Sequence, residues 1–178
     1  TSGVLLTNIK NNTLIISCHG LGGTLNNHMN LSVRDYIVKQ NLKFDNFRFD
    51  FYNSNEHHRP FLESTINSQV EDLNKVINYF KEDYKNIYLM GASYGGLTCA
   101  VLNHENVTKQ ALIDPSFIID APWAQAKTNL LIDEQGNQYN ASFDRNMPFL
   151  FNKDMQNEGL QWNPNKSQAY IDDISINT

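Results

Sequence analysis

Hydrophobic positions follow two rhythms along this chain, one of period two or continuous, the other of period near 3.6. Thr13–Cys18 (TLIISC) is a β-branched apolar run ending at His19-Gly20-Leu21-Gly22-Gly23, which predicts a buried strand of a parallel sheet with a glycine loop at its carboxyl end. Residues 47–51 (FRFDF) alternate strictly and predict the next strand, followed by a polar loop, residues 52–60, that holds His57 and His58. From about residue 64 to 81, Ile66, Val70, Leu73, Ile77 and Phe80 recur at helical spacing, the clearest amphipathic helix in the chain. Residues 87–90 predict a further strand, residues 94–103 a helix, and residues 109–114 a strand stopped by Pro115. Between the first two strands, Ser32 is expected to open a helix, its hydroxyl capping the first turn with Asp35 as reciprocal partner and Val33, Tyr36, Ile37 and Gln40 along one face. Val4-Leu5-Leu6 can supply one more strand in front. Strand and helix alternating over residues 13–115 predict an α/β fold, a mostly parallel sheet with right-handed crossovers and helices on both faces.

After Pro115 the rhythm breaks. Residues 116–178 are rich in Asn, Gln and Asp, carry large aromatics from Phe117 to Tyr170, and show only short helical patterns. Gly136-Asn137 between Leu130-Leu131-Ile132 and Gln138-Tyr139 reads as a hairpin turn. The expected organisation is therefore a core over residues 1–115 and a distinct segment over 116–178. With 178 residues and 40% hydrophobic content the chain suits one soluble domain with a real core, or a large piece of one. The net charge of -5 gives no electrostatic reason to expect nucleic acid or an anionic membrane as partner. No apolar run approaches the ~20 residues of a membrane span. Cys18 and Cys99 fall inside apolar segments, which suits small buried hydrophobes better than a disulfide framework and points to a reducing, cytoplasmic setting, the alternative being a secreted protein whose signal has been removed. The missing initiator Met reads as a processed or trimmed N-terminus.

The chemistry gathers around residues 87–101. Gly91-Ala92-Ser93-Tyr94-Gly95 fits G-x-S-x-G, in which a serine sits on a strained strand-to-helix bend with its hydroxyl exposed above a sheet. The glycines have a mechanical reason: at so sharp a bend a β-carbon two residues either side of the serine would collide with backbone. Ligands of open parallel sheets bind outside the carboxyl ends of the strands. Residues 19–23, residues 52–60 and Ser93 all follow such ends.

The order HGLGG loop, RFDFY strand, amphipathic helix, GASYGG resembles the α/β-hydrolase superfamily over residues 13–115, and within it the small serine esterases and acyl hydrolases of the cinnamoyl-esterase and monoglyceride-lipase-like branch. The resemblance implies that Ser93 is the nucleophile and that the backbone amides of Leu21 and Tyr94 form the oxyanion hole, each such donor worth roughly 3 kcal/mol. It implies that His19 orders its loop. Asp114 stands where some members carry the triad acid; the alternative is a strand-end aspartate capping the turn before Pro115. The aromatic tail resembles the cap, or lid, of the family.

A serine needs a histidine to take its proton, and the superfamily order is Ser, acid, His. The only histidine after Ser93 is His104, about 16 Å along the following helix and leading away from the site. The expectation is a front portion of a hydrolase whose acid and histidine lie beyond Thr178 or on another chain; the alternative keeps the chain whole and recruits His57 or His58 as base. The last strand would then present an open edge that needs cover from the tail, from a second copy in a homo-oligomer, or from a complementary C-terminal fragment. The expected function is hydrolysis of a small carboxylic ester or thioester through an acyl-enzyme on Ser93. The same serine would also serve an acyltransferase or a serine peptidase, and the rival from another class is a hydrolase-fold binding or scaffold protein without a working triad. No metal and no cofactor is implied, because nothing has ligand spacing.

Overall fold

The computed structural model describes residues 2–7, 11–53, 59–116, 129–132, 138–142, 149–151 and 153–161. They fall into two compact units, residues 1–59 with 66–116, and residues 60–65 with 117–178.

The first unit is built on strands β1 (Gly3–Leu6), β2 (Thr13–Cys18), β3 (Asp45–Phe49), β4 (Asn86–Ala92) and β5 (Val107–Ile113), in the spatial order β1-β3-β2-β4-β5. β1 runs antiparallel to β3, and the other pairs are parallel. Helices α1 (His28–Lys39), α2 (Ile66–Phe80) and α3 (Tyr94–Val101) make the crossovers. The chain steps one way from β2 to β3 and the other way from β3 to β4 and β5, so right-handed crossovers put α1 on one face and α2 with α3 on the other. β2 is central: Leu14, Ile16 and Cys18 on one face are fully buried, and on the other Ser17 is fully buried and Ile15 half-buried.

β3 shows the alternation of its sequence. Phe47 reaches Phe80 of α2 with ring centroids 4.9 Å apart, while Arg48 turns the opposite way and donates to the Leu25 carbonyl at 3.3 Å and Asn26 Oδ1 at 3.0 Å. The strand ends at Phe49, earlier than expected, because the Phe51 amide donates to His19 rather than to a neighbouring strand. α2 buries Ile66, Leu73, Ile77 and Phe80 as its spacing predicts. Its inner face also carries Gln69 and Asp72, which Thr98 of α3 and the Arg59 guanidinium respectively engage at 2.9 and 3.1 Å.

α1 departs from expectation. Asn27, not Ser32, is the cap: it is extended (φ -60°, ψ 156°) and its side chain accepts from the Asn30 amide at 2.8 Å. Asn caps as well as Ser does, and the earlier start lays the fully buried Asn30 against the sheet with Val33 and Ile37, leaving Tyr36 and Gln40 exposed. Ser32 is inside the helix, its hydroxyl donating to the His28 carbonyl at 2.8 Å, and Asp35 pairs with Arg34 at 2.5 Å.

β5 is the outer strand, with Thr108 to Ala111 and Ile113 exposed. Among the described residues nothing pairs with its free side. The described strands of the second unit, β6 (Asn129–Ile132), β7 (Gln138–Ser142) and β8 (Phe149–Phe151), bond to one another as an antiparallel sheet. The Gly136-Asn137 turn lies outside the described residues, but the strands on either side pair as a hairpin requires. Helix α4 (Lys153–Gln161) and the 3-10 turn Phe61–Glu63 complete this unit, the turn packing on β8 and α4. No described helix is long and apolar enough to cross a membrane.

Candidate active site

The centre is the turn between β4 and α3. Ser93 has φ 52° and ψ -123°, a left-handed conformation that costs a non-glycine residue of order 1–3 kcal/mol and persists only when its surroundings impose it. Three backbone bonds do so: the Ser93 amide donates to the Ile113 carbonyl at 3.0 Å, and the Ser93 carbonyl accepts from Leu97 and Ser116 amides, both at 3.1 Å. The Ser93 side chain is exposed, and its Oγ lies 3.1 Å from Ser116 Oγ.

The glycines around it are places of backbone contact. A β-carbon on Gly91 would run into the Gly95 carbonyl and come within 2.8 Å of Cys99 Sγ. One on Gly95 would meet the carbonyl oxygens of His19 and of Cys18, the latter at 2.7 Å. The collision expected from the sequence is therefore real at both positions, but at Gly95 the obstacle is the end of β2 rather than β4. The register Cys18↔Gly91 delivers the glycine loop to the serine: a β-carbon on Gly20 would stand 3.1 Å from Ser93 Cβ and 3.6 Å from Oγ.

That loop is a tight turn in which the Gly23 amide donates to the Gly20 carbonyl at 3.0 Å, with Gly22 at φ 73° in the position a type II turn reserves for glycine. His19 is completely buried and fixes the turn from one side. Its Nε2 accepts from the Phe51 amide at 3.1 Å, and since an amide can only donate, Nε2 carries no proton. Nδ1 therefore bears the hydrogen and donates to the Gly20 carbonyl at 2.8 Å. Burial lowers the His19 pKa, against the pull of the Gly20 carbonyl and of Asp50, whose Oδ1 is 4.0 Å away. A neutral ring with both nitrogens engaged by backbone is an ordering group, in line with expectation. Asp50 ties the far end of the loop by accepting from the Leu25 amide at 2.5 Å.

Of the other candidates, Leu21 follows directly in the turn, and its amide makes no hydrogen bond to any described residue. Tyr94 is buried at the first position of α3. Asp114 is exposed just past the end of β5, at φ 44°, beside the Ile113 carbonyl that holds Ser93. His104 lies beyond α3, its Nδ1 accepting from the Asn106 amide at 3.1 Å, and does not join the site. His57 and His58 lie outside the described residues. Sequence reasoning missed Ser116, whose only signal is its place two residues after a strand-end aspartate, and Tyr52, the first residue after a buried aromatic run. The described residues contain no cluster of His, Cys, Asp or Glu suited to a metal ion. Cys18 and Cys99 are free and buried, and burial beside Cys99 pushes the Cys18 thiol up, away from the reactive thiolate.

A mostly parallel sheet with a strained serine at its carboxyl edge, a glycine turn beside it and helices on both faces defines the α/β-hydrolase fold. A family profile described as PGAP1-like alpha/beta domain matches residues 10–177, and the chain belongs to that family. Solved structures agree on the fold. Est1E from Butyrivibrio proteoclasticus, with ferulic acid bound, aligns with a TM-score of 0.71 at 16% identity over 90% of this chain. A putative hydrolase from Agrobacterium vitis aligns at 0.62 and 19% over 90%, and a Pyrococcus furiosus esterase at 0.57 and 17% over 69%. The chain spans 66% of the first two, just under two thirds, and 47% of the third. No curated protein sequence matches it significantly.

Proposed function

We propose that the chain carries the nucleophile and oxyanion hole of a serine hydrolase that cleaves a small carboxylic ester or thioester. The observation that carries this reading is Ser93 at positive φ, its hydroxyl exposed and the Gly20 backbone packed against it. In the proposed reaction Ser93 Oγ attacks the carbonyl carbon and its proton passes to a base. The Leu21 and Tyr94 amides hold the oxyanion, and the alcohol or thiol departs with a proton to leave an acyl-Ser93 that water hydrolyses. Asp114 is the proposed acid and His57 or His58 the base within this chain. Est1E binds ferulic acid, so a hydroxycinnamoyl ester is the first substrate to try beside a short p-nitrophenyl ester. Transfer of the acyl group to another acceptor, or peptide cleavage, would proceed through the same intermediate.

A second reading, a hydrolase-fold binding protein, draws on one observation. Among the described histidines, His19 is occupied by backbone, His28 is exposed at the start of α1 and His104 lies elsewhere, and the side-chain hydrogen bond found at Ser93 Oγ is to Ser116. A fluorophosphonate probe separates the two readings. Labelling of Ser93 that disappears in Ser93→Ala supports the hydrolase, whereas a full-length protein that resists the probe and leaves both esters intact supports the binding protein.

A further inference from the structure

We propose that Tyr52 is a positioning residue that, together with the loop-ordering His19, aims the Leu21 amide, an inference that rests on the oxyanion role given to that amide above. The Gly20 carbonyl oxygen receives three donors: His19 Nδ1–H at 2.8 Å, the Gly23 amide at 3.0 Å and the Tyr52 hydroxyl at 3.2 Å. A carbonyl oxygen has two lone pairs, so this one is fully committed on the side away from solvent. The Gly20–Leu21 peptide is planar and trans, so its N–H points opposite to its C=O. Anchoring the oxygen therefore sets the direction of the Leu21 N–H, which is left without an acceptor among the described residues. The same glycine touches Ser93 on one face, so the unbonded donor belongs to the peptide beside the nucleophile.

The anchors are themselves held. His19 is locked as the Nδ1–H tautomer by the Phe51 amide, and its ring packs edge-on against Phe51 and Tyr52, with centroids 5.2 and 5.1 Å away. Tyr52 is buried, which holds its hydroxyl in place beside the turn. The end of β3 thus reaches across to the turn after β2 and fixes one peptide plane from two consecutive residues. An oxyanion donor works only if it is aimed before the charge develops, which is what such bracing supplies.

Tyr52→Phe is the test, because it removes one donor and keeps the ring that packs on His19. Against an ester substrate or a fluorophosphonate, kcat or the labelling rate should fall about 10-fold, less than the 100-fold or more for loss of a whole oxyanion donor, with KM and Tm little changed. A purely structural role would lower Tm and leave the rate of the folded enzyme alone. A second readout needs no catalysis: in 15N spectra of the full chain, Tyr52→Phe should shift the Leu21 amide and speed its exchange, while His19 stays protonated on Nδ1 only. An unshifted Leu21 amide, or a His19 protonated on Nε2, overturns the brace. Absence of labelling in the parent protein overturns the hydrolase reading instead, and the Leu21 and His19 spectra then decide the brace alone. If the parent is labelled, a Tyr52→Phe rate within 2-fold of the parent also overturns the proposal.

Discussion

Gly95→Ala adds one methyl group where α3 presses on the end of β2, and two effects of opposite sign meet there. Gly95 lies within α3 and is not among the positive-φ glycines, so alanine should be favoured in the helix by roughly 0.5–1 kcal/mol. Against this, the new β-carbon would lie 2.7 Å from the Cys18 carbonyl oxygen and 2.9 Å from its carbon, with the His19 carbonyl oxygen nearer still. These are backbone atoms of a central strand and cannot swing aside. Overpacking of this kind costs typically 1–3 kcal/mol, so the net loss should be about 1–2 kcal/mol. In a chain of this length that lowers Tm by roughly 2–8 °C. The functional loss should exceed the stability loss. The atoms displaced belong to the residue that leads into Gly20, and misplacement of a reacting constellation by about 1 Å can cost 100-fold in rate. Thermal unfolding and the rate of fluorophosphonate labelling measure the two effects separately. If Gly95→Ala melts with the parent and labels Ser93 at the parental rate, the claim that contact between α3 and β2 sets the site is wrong.

Two further predictions concern stability. Tyr84→Phe should cost about 1–3 kcal/mol in urea unfolding with an unchanged m-value, because the Tyr84 hydroxyl donates at 2.8 Å to the fully buried Asp45 and its loss leaves a buried carboxylate oxygen short of a donor. That network sits at the start of β3, the opposite end from the serine, so labelling of Ser93 should not change. His19 should make the fold sensitive to acid. Burial lowers its folded pKa below 6.5, so as pH falls from about 6.5 the unfolded chain takes up a proton that the folded one refuses. Stability is unaffected by this group above 6.5 and falls below it by at most about 1.4 kcal/mol per pH unit until the folded pKa is reached. The 15N signals of His19 should stay those of a neutral ring just below 6.5; a ring that titrates there as in the unfolded chain would refute the assignment.

What was legible beforehand follows the range of the forces involved. Strands β2, β3 and β4 and helix α2 were readable because burial imposes a local period on the residues themselves, as at Leu73, Ile77 and Phe80. The start of α1 was not, because Asn27 and Ser32 are equivalent caps and only the packing of Asn30 chooses between them. That β5 would be the outer strand of the described sheet was expected, since no further strand of that sheet shows in the sequence pattern, while what would cover its outer side has no local signature. Around Ser93, the strained bend and the turn at residues 20–23 could be located because glycine marks where backbone must bend or touch. Tyr52 and Ser116 could not, because their contacts with Gly20 and Ser93 join residues 32 and 23 positions apart through the sheet.

The same contrast bears on what the serine can do as it stands. The backbone around Ser93, its own bend and the Gly20 turn packed beside it, is specified by glycine and by strand register. Activation of the hydroxyl asks for something else, a side chain that is a better proton acceptor than the serine itself. The group found at 3.1 Å, Ser116 Oγ, is a hydroxyl of the same kind. Exchanging a hydrogen bond with it orients Ser93 Oγ but gives the proton no lower-energy place to go. On the proposed hydrolase reading, Ser116→Ala should therefore leave the rate of fluorophosphonate labelling of Ser93 no lower than in the parent, and a clear fall in that rate would show that the Ser116 hydroxyl does more than orient its neighbour.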